Sequence, residues 1–592
     1  MKGAPRSAQF DDIYFSAENG LEETAHVFLR GNNLPAAWEG KPSFTIAETG
    51  FGTGLNFFSV WKLFEEHASA DQTLDFISVE KYPLSPQEIK QALEPWQEFL
   101  GNRVDLFLAQ YPLRIAGFHR VKLTPQITLT LIFDDINLAF PQLEAKVDCW
   151  FLDGFTPAKN PDMWSDIVFR EMARLSAAGA SYATFTAAGD VRRALASAGF
   201  SVQKQKGFGH KRDMIAGRYD GQEKPSKQPL KKGARIAIIG GGLAGTSCAY
   251  VLKQYGYDPV IYEAADTLAS GASGNTLGLY NPRFSKLRDN LSDFFAPAYA
   301  QFIRTVKQMG DAVNYVPCGA LHLMNDPDKE TRYRAMAKNW LWHENHIAVL
   351  SSAQASEIAG IKIDYDALYL PDSGSVSPQK LCEFYARDIE VHFNSEIDDL
   401  SKFTEDAIIL TCGPAIKDFD FLSWLPLDAV RGQVTKITST ENTKNLKCNL
   451  HYGGYISKAY EGSHMIGATF EKWVRHTEVT EENHQDNVMN LKKNVAIFQN
   501  EDFEITAGRA GMRAATNDRF PVVGAVPEHD NMFISAAFGS HGLVGSVMAA
   551  HYLADLLRSG PFCLPIETSN ALIPKRFLDR AKKKGSHRAQ PC

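Results

Sequence analysis

The sequence predicts an α/β protein built from two Rossmann-like units in series. Two glycine-rich turns predict it first. Glu48-Thr49-Gly50-Phe51-Gly52-Thr53-Gly54 and Gly240-Gly241-Gly242-Leu243-Ala244-Gly245 each follow a short apolar strand and open a helix. Strands and helices also alternate through the first third of the chain, the rhythm of a doubly wound parallel sheet. Finally, the stretch from Asp220 to Gly233 is polar, holds two prolines and lacks apolar periodicity, which is the composition of a linker. A chain of 592 residues is too long for one core. The expected division is 1–220, a linker at 221–233, and 234–592.

In order, Phe44–Glu48 reads as a buried strand running into the first glycine turn, and Leu55–His67 as the helix after it. Leu74–Glu80, Ile127–Phe133, Val147–Leu152, Tyr182–Phe185 and Met214–Tyr219 read as further strands. Pro86–Leu93, Ser165–Leu175 and Val191–Ala198 read as helices between them. After the linker, Arg235–Ile239, Leu243–Tyr255 and Pro259–Tyr262 form one βαβ unit ending at Glu263. From about 430 to 505 the pattern turns to alternating strands, such as Gln433–Ile437 and Met465–Ala468. This predicts an antiparallel substrate domain inserted between pieces of a cofactor domain. The basic stretch Lys575–Arg588 reads as a helix.

Composition narrows the class. Hydrophobic residues at 44% and charged residues at 22% are ordinary for a soluble enzyme. A net charge of −7 means that any nucleic-acid contact needs a local basic patch. The eight cysteines show no C-x-x-C pair and no zinc-finger spacing, so buried free thiols and no metal are expected. Met1-Lys2-Gly3-Ala4-Pro5 lacks the apolar core of a signal peptide, and no apolar run reaches the roughly 18 residues of a membrane span. A cytoplasmic protein is the expectation.

The two turns differ in chemistry. Gly50, Gly52 and Gly54 let the backbone approach a ligand, but the strand before them ends in Glu48. A carboxylate there repels a pyrophosphate and suits a cofactor with a cationic end, such as S-adenosylmethionine. Glu80, ending the next strand, can accept both ribose hydroxyls. The segment Phe151-Leu152-Asp153-Gly154-Phe155-Thr156-Pro157-Ala158-Lys159-Asn160-Pro161-Asp162-Met163-Trp164 lies at the carboxyl edge of the sheet, where open α/β sheets bind ligands. Methyl transfer to an amine needs the neutral amine, and Asp153 can orient it and take its proton, or simply cap the turn. Phe155 and Trp164 either stack on a base or pack in the core. Lys204–Arg212, with Lys206, Lys211 and Arg212 around Phe208, is either a phosphate- and base-binding loop or a solvated basic one.

In the second turn, Gly240 makes the bend, Gly242 admits a pyrophosphate, and Gly245 lets helix and strand pack, with Glu263 placed for a ribose. The pattern alone does not separate FAD from NAD. The small-residue loop Ala269–Asn275, which contains Ser273, suits a large flavin. With Ile408–Pro414 (containing Gly413), Val430-Arg431-Gly432-Gln433 and Gly511–Gly524, the second part resembles the D-amino-acid-oxidase and glycine-oxidase family. That resemblance implies FAD, hydride removal from a C–N bond, and Arg513 as a bidentate clamp on a substrate carboxylate.

Almost end to end, the chain also resembles the MnmC family of bifunctional tRNA 5-methylaminomethyl-2-thiouridine biosynthesis proteins. The resemblance rests on Asp11–Ser16, Glu48–Asn56, Glu80–Leu84, Phe151–Trp164, Lys206–Arg212 and the flavin motifs. It implies a tRNA substrate modified at the wobble uridine. The flavin half would remove the carboxymethyl group from 5-carboxymethylaminomethyl(-2-thio)uridine as glyoxylate; the other half would methylate the exposed amine. Two departures stand out. Asp134-Asp135 replaces the family's Gly-Asp, which assigns the adenine-side acid to Asp135. Gly539-Ser540-His541-Gly542 places His541 where relatives carry an arginine, close to the flavin, as a candidate catalytic residue. The competing reading is an amine oxidase fused to an amine N-methyltransferase, acting on small molecules without RNA.

Overall fold

The structure, a computed structural model, describes residues 6–7, 12–13, 19–222 and 228–588. Residues 223–227 of the expected linker, the first five residues and most of the Asp11–Ser16 motif lie outside the described residues. The chain forms two compact units. One comprises Met1–Pro229 with Asp555–Ile566, and the other Leu230–Ala554 with Glu567–Cys592.

The first unit is built on an eight-stranded sheet. Ser43–Glu48 sits at its centre, parallel to Thr73–Val79 on one side and Val147–Phe151 on the other. Ile127–Phe133 and Ser176–Thr184 extend the parallel set outward. These strands are buried on both faces, which is why they read as unbroken apolar runs. The edges differ from expectation. Gly117–Lys122 pairs antiparallel with Ile127–Phe133, and Asp213–Arg218 pairs antiparallel with Ser176–Thr184. Gln203–Lys206, expected as part of a loop, is an exposed edge strand against Asp213–Arg218. Its polar side chains give no apolar signal and blunt the sheet edge.

The helix Leu55–His67 covers the centre of this sheet, with Leu55, Phe57, Phe58, Val60, Trp61 and Phe64 all buried. Phe57 and Phe107 lie against Phe51 and Phe58, with ring centroids between 5.4 and 6.3 Å apart. Burying each such ring contributes about 1.5–3 kcal/mol, so this aromatic layer fixes the floor of the first glycine turn. Ser85 and Glu88 form a reciprocal capping box on Pro86–Leu93, and Ser165 caps Asp166–Leu175.

On the same sheet, Arg120 is fully buried. Its guanidinium donates to Asp555 at 2.8 Å and to the Pro561 carbonyl at 2.6 Å, and lies 3.7 Å from Asp75. Arg558 bridges Asp75 and Asp555 at 2.6 and 2.8 Å. The returning segment Asp555–Ile566 therefore completes the ion network of the first unit.

The second unit has two large sheets and the small antiparallel pair Gly278–Tyr280 and Gly374–Val376. In the first, Glu390–His392, Asp258–Tyr262, Arg235–Ile239, Ala407–Leu410 and Met532–Ala536 lie parallel in that order, and Val522–Ala525 closes the edge antiparallel. The other has eight strands dominated by the long antiparallel pair Leu427–Thr438 and Ile505–Thr516. It begins earlier than the sequence pattern indicated, drawing in Ala320–Leu323, Ala348–Leu350 and Ala367–Leu370. These strands are three or four residues long, too short for alternation to register. Lys575–Arg588 is helical. Among the described residues, seven cysteines are free and no helix is long and apolar enough to cross a membrane.

Removing one partner of a buried ion pair strands the other charge, at a cost of about 3–5 kcal/mol. Arg120→Met should lower the opening free energy of Gly117–Lys122 and Ile127–Phe133 by roughly that amount. Native-state hydrogen exchange of the full chain checks this; unchanged protection would show that the network does not hold the sheet.

Candidate active sites

Each unit contains a cavity at the carboxyl ends of its central strands. The first encloses about 600 Å³. Its floor is the turn from Thr49 to Thr53, and its sides are Glu80, Asp153 to Thr156, and the arm 208–211. Gly52 has φ +52° and Gly54 φ +80°, and a Cβ on Gly54 would stand 2.7 Å from the Phe51 ring. Glu80 accepts the Gly52 and Tyr82 N–H groups at 2.9 and 2.8 Å, and burial raises its pKa.

Asn56 organises the acidic end. Its Nδ2 donates to Glu48 at 2.8 Å and to Asp153 at 2.7 Å, and its Oδ1 accepts from Thr24 at 2.8 Å. Glu48 also accepts from Ser78 at 2.8 Å and is held well above the usual carboxylate range by burial and by Asp153. Burial and the charge of Glu23 raise the Asp153 pKa to about 6. Glu23 lines the same cavity, and Lys211 binds it at 2.9 Å while lying 4.2 Å from the centre of the Phe185 ring. A carboxylate poised near neutrality beside a second carboxylate suits an amine that must lose a proton.

Several sequence expectations change here. Glu48 and Gly54 do not line the cavity; Glu48 reaches it only through Asn56, and Gly54 turns the chain against Phe51. Asp135 lines the cavity but is already bonded to Lys81 at 2.7 Å and caps the next helix through Asn137. Asp134 lines the wall beside it. Phe155 and Lys211 face the cavity, whereas Lys206 and Arg212 are exposed and do not line it. Trp164 packs edge-on to Phe185 and donates to the Phe155 carbonyl at 3.2 Å, bracing the lip from behind.

The second cavity encloses about 1240 Å³. Gly240, Gly242, Glu263, Ser273 and Gly413 line it. Gly240 has φ +112°, and a Cβ on Gly242 would sit 3.1 Å from Ser273 Oγ, filling the cradle. Gly245 lies behind the wall, where a Cβ would fall 1.9 Å from the Gly240 carbonyl, so it serves helix packing instead of ligand contact. Ser273 accepts the Leu243 N–H at 3.0 Å, and Glu263 accepts that of Gly241 at 2.6 Å. Glycines, helix N–H groups and a ribose-ready acid fit a flavin dinucleotide.

Farther along this cavity stands Arg513, buried enough to lower its pKa, with Tyr455 nearby. A Cβ on Gly432 would fall 2.2 Å from its guanidinium, so only glycine seats it there. No carboxylate among the described residues pairs with it. His541 lies in the same wall. Burial lowers its pKa to about 4, and that of His451 to about 3. His451 and His322 stack at 4.2 Å, and Asn281 contacts both, at 3.0 and 3.3 Å. The cations of this cavity wall are therefore its arginines and Lys329, not its histidines.

The sequence profile of FAD dependent oxidoreductases matches residues 235–556, and that of S-adenosyl-L-methionine-dependent methyltransferases matches residues 100–220. The tRNA 5-methylaminomethyl-2-thiouridine biosynthesis bifunctional protein MnmC of Chromobacterium violaceum is 36% identical, over 98% of this chain and 96% of its own. Its counterpart in Methylobacillus flagellatus is 34% identical, over 98% and 95%. The chain belongs to the MnmC family. Like other MnmC proteins it joins a methyltransferase that uses S-adenosylmethionine to an oxidoreductase that uses FAD. Among solved structures, the glycine oxidase of Bacillus cereus superposes with a TM-score of 0.47 at 20% identity, over 55% of this chain and 95% of that one.

Glu23 and Asn56 are the residues that motif reading missed as chemistry. Asn56 follows the glycine turn by two positions and was within reach, but Glu23 lies far upstream of Asp153, and only the fold brings them together. Glu23 raises the Asp153 pKa, so Glu23→Gln should lower it. The acid limb of methyl transfer, which falls as Asp153 protonates near pH 6, should move to lower pH in that variant. A pH profile of the single-turnover methylation rate measures this, and an unmoved limb would separate Glu23 from Asp153.

Proposed function

We propose that this chain carries out two consecutive steps on the wobble uridine of tRNA. The substrate is 5-carboxymethylaminomethyl(-2-thio)uridine, and the product is 5-methylaminomethyl(-2-thio)uridine. The observation that carries the reading is Arg513, a guanidinium in the wall of the flavin cavity with no carboxylate partner among the described residues. The carboxymethyl group supplies that partner, in a bidentate pair.

In the first step Arg513 fixes the carboxylate, which holds the adjacent methylene and amine in one orientation. Gly240, Gly242 and Glu263 would hold FAD, which would supply the acceptor for the hydride leaving the methylene carbon. The nitrogen lone pair forms the C=N bond, and water then cleaves the imine to glyoxylate and the primary amine. The neutral imidazoles of His451 and His541 leave the arginines and Lys329 as the anion-binding groups of that wall.

In the second step the amine enters the first cavity. Glu23 and Asp153 hold its N–H groups, and Asp153, kept in place by Asn56, takes the proton released as the nitrogen is methylated. S-adenosylmethionine, when bound at the turn Thr49–Thr53 with Glu80 at its ribose, supplies the methyl group. The primary amine released by one site is what the two carboxylates of the other are suited to bind. Membership of the MnmC family and the intact walls of both cavities support RNA as the substrate over a free amine.

Nucleoside analysis of tRNA from cells relying on variant chains tests the scheme. Arg513→Ala removes a charge-assisted pair of about 1.5–3 kcal/mol, so the oxidative step should slow by roughly tenfold or more. The carboxymethylaminomethyl nucleoside should then accumulate. Asp153→Asn should slow methylation by about 10²–10⁴-fold and leave the aminomethyl nucleoside. The same nucleoside accumulating in both variants would refute the assignment of one step to each cavity.

A further inference from the structure

The flavin cavity opens beside an aromatic arm that the reaction itself does not require. Phe470 lines the cavity yet is 64% exposed, and Trp473, three residues on, is 87% exposed. Large apolar side chains so exposed are costly on a free surface unless something covers them. Lys472 and Arg475 flank Trp473 and are exposed as well.

The arm is rigidly built. Arg431, 1% exposed, anchors it from below. Its guanidinium binds the Glu471 carboxylate, the His476 carbonyl at 3.1 Å and the Glu478 carbonyl, and is completed by Asn483 and by Gln433 at 3.0 Å. Backbone bonds between Arg431 and Glu471, 2.9 Å in both directions, extend the sheet into the arm. Arg475 donates to the Ala429 and Lys472 carbonyls at 2.9 and 2.8 Å, so its charge meets no carboxylate. Glu471, the acid next to Trp473, is consumed by Arg431. A buried charge is thus spent on presenting two aromatic rings and two cations outward.

The adjoining cavity wall has the same sign. The helix Pro327–Asn339 contributes Lys329 and Arg332, and Arg332 Nε is buried without a hydrogen-bond partner. Arg283 and Arg519 stand in the same wall. Exposed rings interleaved with cations form a stacking platform for unpaired bases, with the cations placed for phosphates.

We propose that the arm Thr469–Val479 is a single-strand RNA clamp: Phe470 and Trp473 stack on nucleotides flanking the modified uridine while Lys472, Arg475 and Arg332 meet the backbone. This rests on the functional reading above. An anticodon loop presents unstacked bases on either side of the wobble position, and the platform lies where the wobble base must enter.

The test uses the full flavin-loaded chain. Trp473→Ala is compared with Trp473→Phe and with the unaltered protein. Substrates are tRNA bearing 5-carboxymethylaminomethyluridine and the free nucleoside. Trp473→Ala should raise KM for tRNA by roughly tenfold, with kcat, flavin absorbance and the rate on the nucleoside unchanged. Trp473→Phe should restore most of the loss. An anticodon stem-loop should quench tryptophan fluorescence in the unaltered protein, and Trp473→Phe should remove most of the quench. An unchanged KM, or an equal loss on tRNA and nucleoside, overturns the proposal. So does a change in sedimentation with unchanged KM, which would make the arm a contact between copies of the chain. If the unaltered protein oxidises the nucleoside but never tRNA, the functional reading fails and takes the clamp with it.

Discussion

Both cavities depend on one interaction, made twice. A carboxylate at the end of the second strand of each unit turns back and accepts a backbone N–H from the glycine turn that follows the first strand. Glu80 does this for Gly52 at 2.9 Å, and Glu263 for Gly241 at 2.6 Å. Glycine-rich turns leave N–H groups pointing into space, and buried donors must be satisfied. The carboxylate satisfies one, fixes the path of the turn and keeps oxygen lone pairs at the cavity wall. The same solution recurs in a unit that uses S-adenosylmethionine and in one that uses FAD. What differs is the chemistry beyond it: acids around Asp153 in one unit, arginines around Arg513 in the other.

The long antiparallel pair of the second unit shows how closely spaced residues are given opposite duties. Side chains alternate across a strand. On Leu427–Thr438, Arg431 and Gln433 point one way, toward the arm and the segment around Thr480. Gly432, between them, faces the Arg513 guanidinium on the neighbouring strand. The triplet Arg-Gly-Gln thus carries both the anchor for an outer loop and the empty space that seats Arg513. A side chain at 432 would push Arg513 away, and loss of Arg431 would release the arm.

Much of this was legible in the sequence because it is local. Glycine spacing, the acids that end strands and the Asp153 motif each declare themselves within a short run of sequence. What escaped was long-range. Glu23 gains meaning only when the helix Gly20–Thr24 packs beside the first glycine turn. Glu48 carries a sequence signal as strong as that of Asp153, yet Asn56 stands between it and the cavity. The edge strand Gln203–Lys206 is all polar, so no periodicity marks it. Phe470 and Trp473 look like core residues in composition, and only their exposure reveals otherwise.

The return of Asp555–Ile566 to the first unit has a consequence in time. A ribosome releases residues 1–229 first, and Arg120 then sits on its sheet without Asp555. That partner emerges roughly 300 residues later, or about 15–60 s at ordinary rates of synthesis. Until then the methyltransferase sheet lacks its final ion network. The unit that is made first is therefore completed only after most of the second has been synthesised.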